Sequence, residues 1–267
     1  MTTLQIDFHV HSEGSYDGHE PVELIIEHAA DIGLDGVVIT DHDVLVESIR
    51  AAELAADYGL IGIPGVEVST AHGHLLAIGV DEMPPRRAPY EETVEWIRDH
   101  GGVAIVPHPF QRTRHGVRKK NIPDVDAIET FNAWLFTGYK NGRARRYATA
   151  YGYPTVAASD AHTLPYVGRA YTEITIPEVD REAVTREDVL TAIREGSTAV
   201  QGRRAPVPMA VRHYAIAAAR KSGYYAKVGT LRTASSVRGG TRKSGSLLKT
   251  GLKRGTSGLK KIVAALA

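Results

Sequence analysis

The sequence contains no cysteine among its 267 residues. That excludes disulfides, thiolate metal sites and cysteine nucleophiles, and leaves nitrogen and oxygen as the ligands for any metal. A cysteine-free chain suits a cytoplasmic enzyme. No stretch approaches the ~18 consecutive apolar residues of a membrane-crossing helix, and "MTTLQIDFHV" lacks the charged start and long apolar run of a secretion signal. Neither secretion nor membrane crossing is therefore predicted. Acids are missing from one region only: from Arg203 to Ala267 there are 15 Lys and Arg and no Asp or Glu. Residues 1–202 hold 17 basic against 31 acidic side chains, so a body of net −14 carries an extension of +15.

A hydrophobic content of 43% is enough for a sizeable core. Strand-like runs alternate with helical patterns along the body, which predicts parallel βα units rather than an antiparallel sheet. "LQIDFHV", "DGVVIT", "LIGIPGVEVS", "HLLAIGV", "GGVAIVPHP", "VDAIETFN", "PTVAASDAH", "AYTEITIP" and "STAVQG" supply the runs, read as seven or eight strands. Helices are expected at "PVELIIEHAADIG", "VESIRAAELAADYG", Tyr90 to His100, about Thr137 to Tyr151, and "TREDVLTAIREG". These elements predict a domain over 1–204. In 205–267, "PVPMAVRHYAIAAARKSGYY" reads as one more helix, and the Gly-, Ser- and Lys/Arg-rich remainder reads as poorly ordered.

Chemistry-bearing residues recur where the strand runs end. His9 and His11 alternate along a strand, so they share a face with α-carbons ~6.5 to 7 Å apart and can grip one cation. Asp41, His42 and Asp43 follow "VVIT", Glu67 follows "IPGV", His108 follows "VAIVP", Glu129 lies in "DAIE", and Asp160 and His162 follow "TVAAS". In a parallel barrel such ends meet on one rim. That many imidazoles and carboxylates converging would repel without cations, so the pattern points to a multinuclear metal site. Asp7 and Asp43 read equally as groups that orient ligand imidazoles or as polar strand-end residues. Glu129 and Asn132 either touch substrate or metal-held water, or form an ordinary strand-end pair. Arg112 and Arg114, in the basic loop "PFQRTRHGVRKKNIP", and Arg169, after "SDAHTLPYVG", are candidates to hold a phosphate. The alternative is a solvated basic loop.

Taken in order, "DFHVH", "YDG", "ITDHD", "GVEVS", "HLLAIG", "PHP" and "SDAH" resemble the motifs of the PHP (polymerase and histidinol phosphatase) domain over roughly residues 4 to 202. The resemblance implies an α/β fold built as a distorted (β/α)7 TIM-like barrel, binding two or three divalent ions (Mn, Zn or Fe) and hydrolysing phosphoesters. By the same resemblance, His9, His11 and Asp160 hold a first metal, and Glu67 bridges it to a second that is also held by His108 and His74. His72 competes with His74, which is preferred because the apolar run begins directly after it. Asp17, His42 and His162 match a third set. The Asp17 position, in "SYDG", resembles the small PHP phosphoesterases of nucleotides and oligonucleotides more than the histidinol phosphatase branch.

The reaction so implied is attack on phosphorus by a metal-bridging hydroxide, with Glu67 as the bridge and His162 or His42 protonating the leaving oxygen. Alternative readings are a histidinol-phosphate-type phosphatase, or a nucleic-acid-associated accessory module that uses the barrel as scaffold. The basic extension admits three accounts: an arm on nucleic-acid phosphates, a surface helix on anionic lipid, or a solubilising tail with no partner. Within "DFHVHSEGSYDG", Gly14 and Gly18 are expected to allow sharp turns.

Overall fold

The computed structural model describes residues 1–111, 115–135 and 137–206. The helix expected near "PVPMAVRHYAIAAARKSGYY" and the low-complexity stretch after it lie outside the described residues. No helix among the described residues is long and apolar enough to cross a membrane.

The described fold is mixed α/β. In chain order its strands and helices are β1 (Thr2–Val10), α1 (Val22–Asp31), β2 (Gly36–Ile39), α2 (Val46–Ala55), β3 (Gly65–Thr70), β4 (Gly73–Ile78), α3 (Tyr90–Asp99), β5 (Val103–Val106), β6 (Ala127–Asn132), α4 (Tyr139–Tyr151), β7 (Thr155–Ala158), β8 (Ala170–Ile176), α5 (Arg186–Glu195) and β9 (Thr198–Gly202). All five expected helices in the body are present. Their apolar spacing is the reason: Val22, Ile25, Ile26 and Ala29 of α1 fall on one buried stripe. α5 starts where Thr185 caps it, with Thr185 and Asp188 exchanging side-chain and backbone hydrogen bonds.

The strands form two sheets, ordered β2-β1-β8-β9 and β3-β4-β5-β6-β7. Pairs β1/β2, β5/β6 and β6/β7 are parallel, as the βα alternation predicts. Pairs β3/β4, β4/β5, β1/β8 and β8/β9 are antiparallel, so the parallel βα units expected over an antiparallel sheet make up only part of the two sheets. For β3/β4 the cause is connection length: only Ala71 and His72 separate the two strands, whereas a parallel crossover needs a dozen or more residues. Among the described residues no continuous ladder joins the two sheets. Two single parallel bridges do, Val10 to Ala161 and His42 to Glu67, both beside the residues singled out above.

Leu4, Ile6 and Phe8 recur at the two-residue strand period and pack with Leu76, Ile78, Ile105 and Ile174, and with Val189 and Ile193 of α5. Burying each such side chain contributes roughly 1.5–3 kcal/mol. Asp7 and His9 alternate with them along β1 and are as fully buried. That burial is possible only because both find polar partners.

Candidate metal centre

Every strand end flagged in the sequence delivers its side chain to one place. The Glu67 carboxylate, fully buried on β3, lies in the middle. Its Oε1 is 2.7 Å from His74 Nδ1 and 3.0 Å from His108 Nε2. Its Oε2 is 3.0 Å from His42 Nδ1 and 3.4 Å from the Nε2 atoms of both His9 and His11. Asp160 Oδ1 stands 3.5 Å from His9 Nε2 and 3.4 Å from His11 Nε2. Beyond His11, Asp17 Oδ2 is 3.4 Å from His42 Nε2 and 3.5 Å from His162 Nε2. Ligand atoms thus gather within 4.8 Å of one another in overlapping sets: His9, His11 and Glu67; His9, His108 and Asp160; Glu67, His74 and His108; His11, Asp17, His42 and His162.

A layer of hydrogen bonds fixes these side chains. Glu129 on β6 sets its Oε1 3.1 Å from His9 Nδ1 and accepts the His108 backbone N–H on Oε2 at 2.6 Å. Asn132 donates from Nδ2 to Glu129 Oε2 at 2.9 Å and to Asp160 Oδ2 at 3.0 Å. Asp7 accepts backbone N–H groups from Ser159 at 2.9 Å and Gly168 at 3.0 Å, tying β1 to the loop that carries Asp160. Burial pushes the Asp7 carboxyl up to about 6. Asp41 accepts from the backbone and hydroxyl of Ser12 and so holds the loop that leads to Asp17. His108 and Asp160 both adopt positive φ, 28° and 54°. Such strain in non-glycine residues persists only where surrounding contacts over-determine it.

The electrostatics favour cations in this cluster. With Nδ1–H donated to Glu129, His9 turns the Nε2 lone pair toward His11 Nε2 at 3.2 Å, and toward Glu67 and Asp160. Lone pairs crowded in this way repel unless a proton or a metal ion sits among them. The imidazole and carboxylate donors, with no sulfur, suit Mn, Zn or Fe. Burial would raise the Glu67 carboxyl, but the imidazoles of His42, His74 and His9 outweigh it and hold the group well below the usual range. For His42, burial acts downward and is overcome by Glu67 and Asp17, which push it up to about 10. His11 goes the other way: burial and the neighbouring His162 push it down to about 3.

His9, His11, Asp17, His42, Glu67, His74, His108, Asp160 and His162 are thus brought together. His72 is not: it is exposed on the β3–β4 turn, its backbone N–H bonded to Thr70 Oγ1. Glu129 and Asn132 are 1% and 0% exposed and touch the candidate ligands. Asp43 accepts from the Ser69 backbone and pairs with Arg86. Arg169 donates to the Arg204 carbonyl and lies over the Tyr166 ring, with no contact to the cluster among its described partners. Arg112 and Arg114 lie outside the described residues. Gly14 and Gly18 do not have positive φ; they provide space, since a Cβ on Gly14 would reach 2.6 Å from Asp41 Oδ2 and one on Gly18 would strike the Ser12 carbonyl.

Two residues were missed. The His115 ring is 4.4 Å from that of His74, and its carbonyl accepts the His74 backbone N–H at 2.9 Å. Burial and the His74 imidazole push His115 down to about 2. It forms a further group with His42 and His74. Its only signal in the sequence was a histidine within a run of Arg and Lys, which hides it. Tyr16 stacks on His42, with centroids 4.9 Å apart and planes at 13°.

The family model for the PHP-associated domain (PHP_C) matches residues 138–198. An uncharacterized protein of Methanocaldococcus jannaschii is 28% identical over 152 residues, spanning 53% of this chain and 89% of its own length. Among solved structures, a two-domain protein of Bacteroides vulgatus, containing a predicted PHP-like metal-dependent phosphoesterase, superposes with a TM-score of 0.59 at 20% identity, over 76% of this chain and 65% of that one. Endonuclease Q, in complex with a 27-mer duplex bearing an abasic lesion, gives 0.51 at 18% identity, over 73% of this chain and 57% of that one. These matches show a PHP-associated segment at residues 138–198 and a fold shared with PHP-like proteins, in keeping with the motif series read from the sequence.

Proposed function

We propose that the protein is a metal-dependent phosphoesterase acting on nucleotides or short oligonucleotides. The observation that carries this reading is the position of Glu67, whose two oxygens face different imidazole groups, His74 and His108 on one side and His9, His11 and His42 on the other. A carboxylate so placed suits a bridge between two cations. In this reading His9, His11, Glu67 and Asp160 hold one ion, Glu67, His74 and His108 a second, and Asp17, His42 and His162 a third. Bound divalent ions would act as Lewis acids, neutralising charge on the phosphoryl oxygens and lowering the pKa of water.

The chain's own groups do the rest. Glu129 keeps the His9 lone pair aimed inward, and Asn132 holds Asp160. Asp17 faces the Nε2 atoms of His42 and His162; when the third ion is absent, either imidazole, protonated there, can hand a proton to the leaving oxygen. The preference for nucleotides rests on Asp17 itself and on the fold shared with Endonuclease Q. We read the two sheets, joined by the two single bridges, as a distorted (β/α)7 barrel over residues 1–204, with 205–267 as a basic extension.

The test is hydrolysis of p-nitrophenyl phosphate, a 3′,5′-bisphosphonucleotide, a 5′-phosphorylated short RNA and histidinol phosphate, each with manganese and with a chelator. Chelator-sensitive turnover of the two nucleotide substrates above the others is expected. Preference for histidinol phosphate would overturn the substrate assignment, and absence of turnover on all four the enzyme itself.

A further inference from the structure

Beside the cluster lies a cleft of about 550 Å³ lined by Phe110, Val117, Arg118, Lys119, Lys120 and Arg143 among others, with no acid among its lining residues. Phe110 is two residues beyond His108, so at most about 7 Å of extended chain separates the cleft from the centre. The loop is pinned there: Phe110 donates its backbone N–H to the Val117 carbonyl at 3.1 Å, and His115, next to the lining Gly116, binds the His74 backbone. Arg143 comes from the adjoining helix α4.

Six arginines elsewhere in the acidic body, Arg50, Arg86, Arg98, Arg181, Arg186 and Arg194, are each paired with a carboxylate. Arg118, Lys119, Lys120 and Arg143 are exposed and form no ion pair among the described residues. Two of them meet aromatic faces instead: the Arg143 guanidinium sits 4.4 Å over the Phe110 ring, and Lys119 Nζ 5.0 Å over Tyr151. Unpaired cations of one sign interleaved with aromatic rings are the pattern of single-stranded nucleic-acid grooves, where phosphates meet the charges and bases stack on the rings.

We propose that this cleft binds the strand of a single-stranded nucleic acid next to the phosphate at the metal centre, and so selects oligonucleotides over small phosphate esters. The choice of nucleic acid rests on the phosphoesterase reading above. Arg118, Lys120 and Arg143 contact backbone phosphates, and Tyr151 offers a stacking face beside Lys119.

The full-length triple variant Arg118→Ser/Lys120→Ser/Arg143→Ser tests it, with its melting temperature and circular dichroism checked against wild type. Affinity for a short labelled single-stranded DNA is measured by anisotropy in chelator, where nothing turns over, across a salt series. A loss of about tenfold or more at low salt is expected, with the slope of log K against log salt shallower by about 2, as three lost phosphate contacts on a single strand predict. Turnover of p-nitrophenyl phosphate with manganese stays unchanged. Equal affinity and slope in variant and wild type would overturn the proposal, as would an equally large loss of affinity for a nucleoside monophosphate. If wild type turns over no phosphate ester and the variant still loses strand affinity, the enzymatic reading fails while the cleft assignment stands.

Discussion

Glu129 Oε1 lies 3.1 Å from His9 Nδ1, with both side chains fully buried. The contact fixes which nitrogen of His9 carries the proton and aims the other at Glu67 and Asp160. A carboxylate behind a ligating histidine commonly orients the ring and raises its basicity. Replacing Glu129 with Gln preserves the shape and can preserve the bond to Nδ1–H. Its new amide N–H2 then faces two donors, the His108 backbone N–H and Asn132 Nδ2. Manganese or zinc affinity, measured by competition with a chromophoric chelator, should fall about 10–100-fold. Unchanged affinity would remove Glu129 from any positioning role.

Glu67→Gln tests the bridge. The amide keeps the volume but loses the charge that balances the surrounding imidazoles, and one of its two positions becomes a donor facing nitrogen lone pairs. Metal content by elemental analysis should drop by at least one ion per chain. Turnover should fall about 10²- to 10³-fold, the scale of losing one preorganised electrostatic contact to the transition state. Full metal content with normal turnover would contradict the placement of Glu67 at the centre of the site.

Much of this centre was legible because its ligands obey a local rule. His9, His42, His108 and Asp160 each sit at or just beyond the end of an apolar run, and convergence of strand ends follows from packing parallel strands beside one another. The supporting residues obey no such rule. Glu129 and Asn132 have the same sequence context as residues that meet substrate, and the pairing of β6 with β5 and β7 puts them beside His108 and Asp160. His115 reaches His74 through a loop pinned by two backbone hydrogen bonds, which composition does not encode. The antiparallel β3/β4 pair was readable in principle, since a two-residue connection permits nothing else. Apolar periodicity hid it, because buried strands of either direction look alike.

Metal uptake should release protons. In the metal-free protein His42 is pushed up to about 10 from an ordinary 6.5. Its protonated form therefore stabilises the fold; that contribution is fully present below about pH 6.5 and is lost as pH rises through about 10. A metal ion needs the neutral ring, so capture at pH 8 must expel the His42 proton. Calorimetric titration of manganese in two buffers of different ionisation enthalpy should report release of about one proton or more per chain at pH 8. By the same linkage, affinity should weaken progressively as pH falls below about 10, where the ring takes up its proton. Identical heats in both buffers would show that His42 is neutral before the metal arrives.

Gly18→Ala probes how the first loop is held. A Cβ at this position would strike the Ser12 carbonyl, and Ser12 is itself bound by Asp41 through its backbone N–H at 2.7 Å and its hydroxyl at 2.5 Å. Neither side can yield cheaply: the obstacle is backbone, and it is tied to a fully buried carboxylate. The loop must therefore shift at Gly18 and carry the adjacent Asp17 away from His42 and His162. Overpacking of this kind costs about 1–3 kcal/mol, read as a lower melting temperature. The group formed by Asp17, His42 and His162 loses its only carboxylate, whereas Glu67 and Asp160 still serve His9, His11, His74 and His108. Loss of the most weakly held ion, with retention of the others, is therefore the expected stoichiometry. Loss of all ions together would show that the Asp17 loop supports the whole centre rather than one end of it.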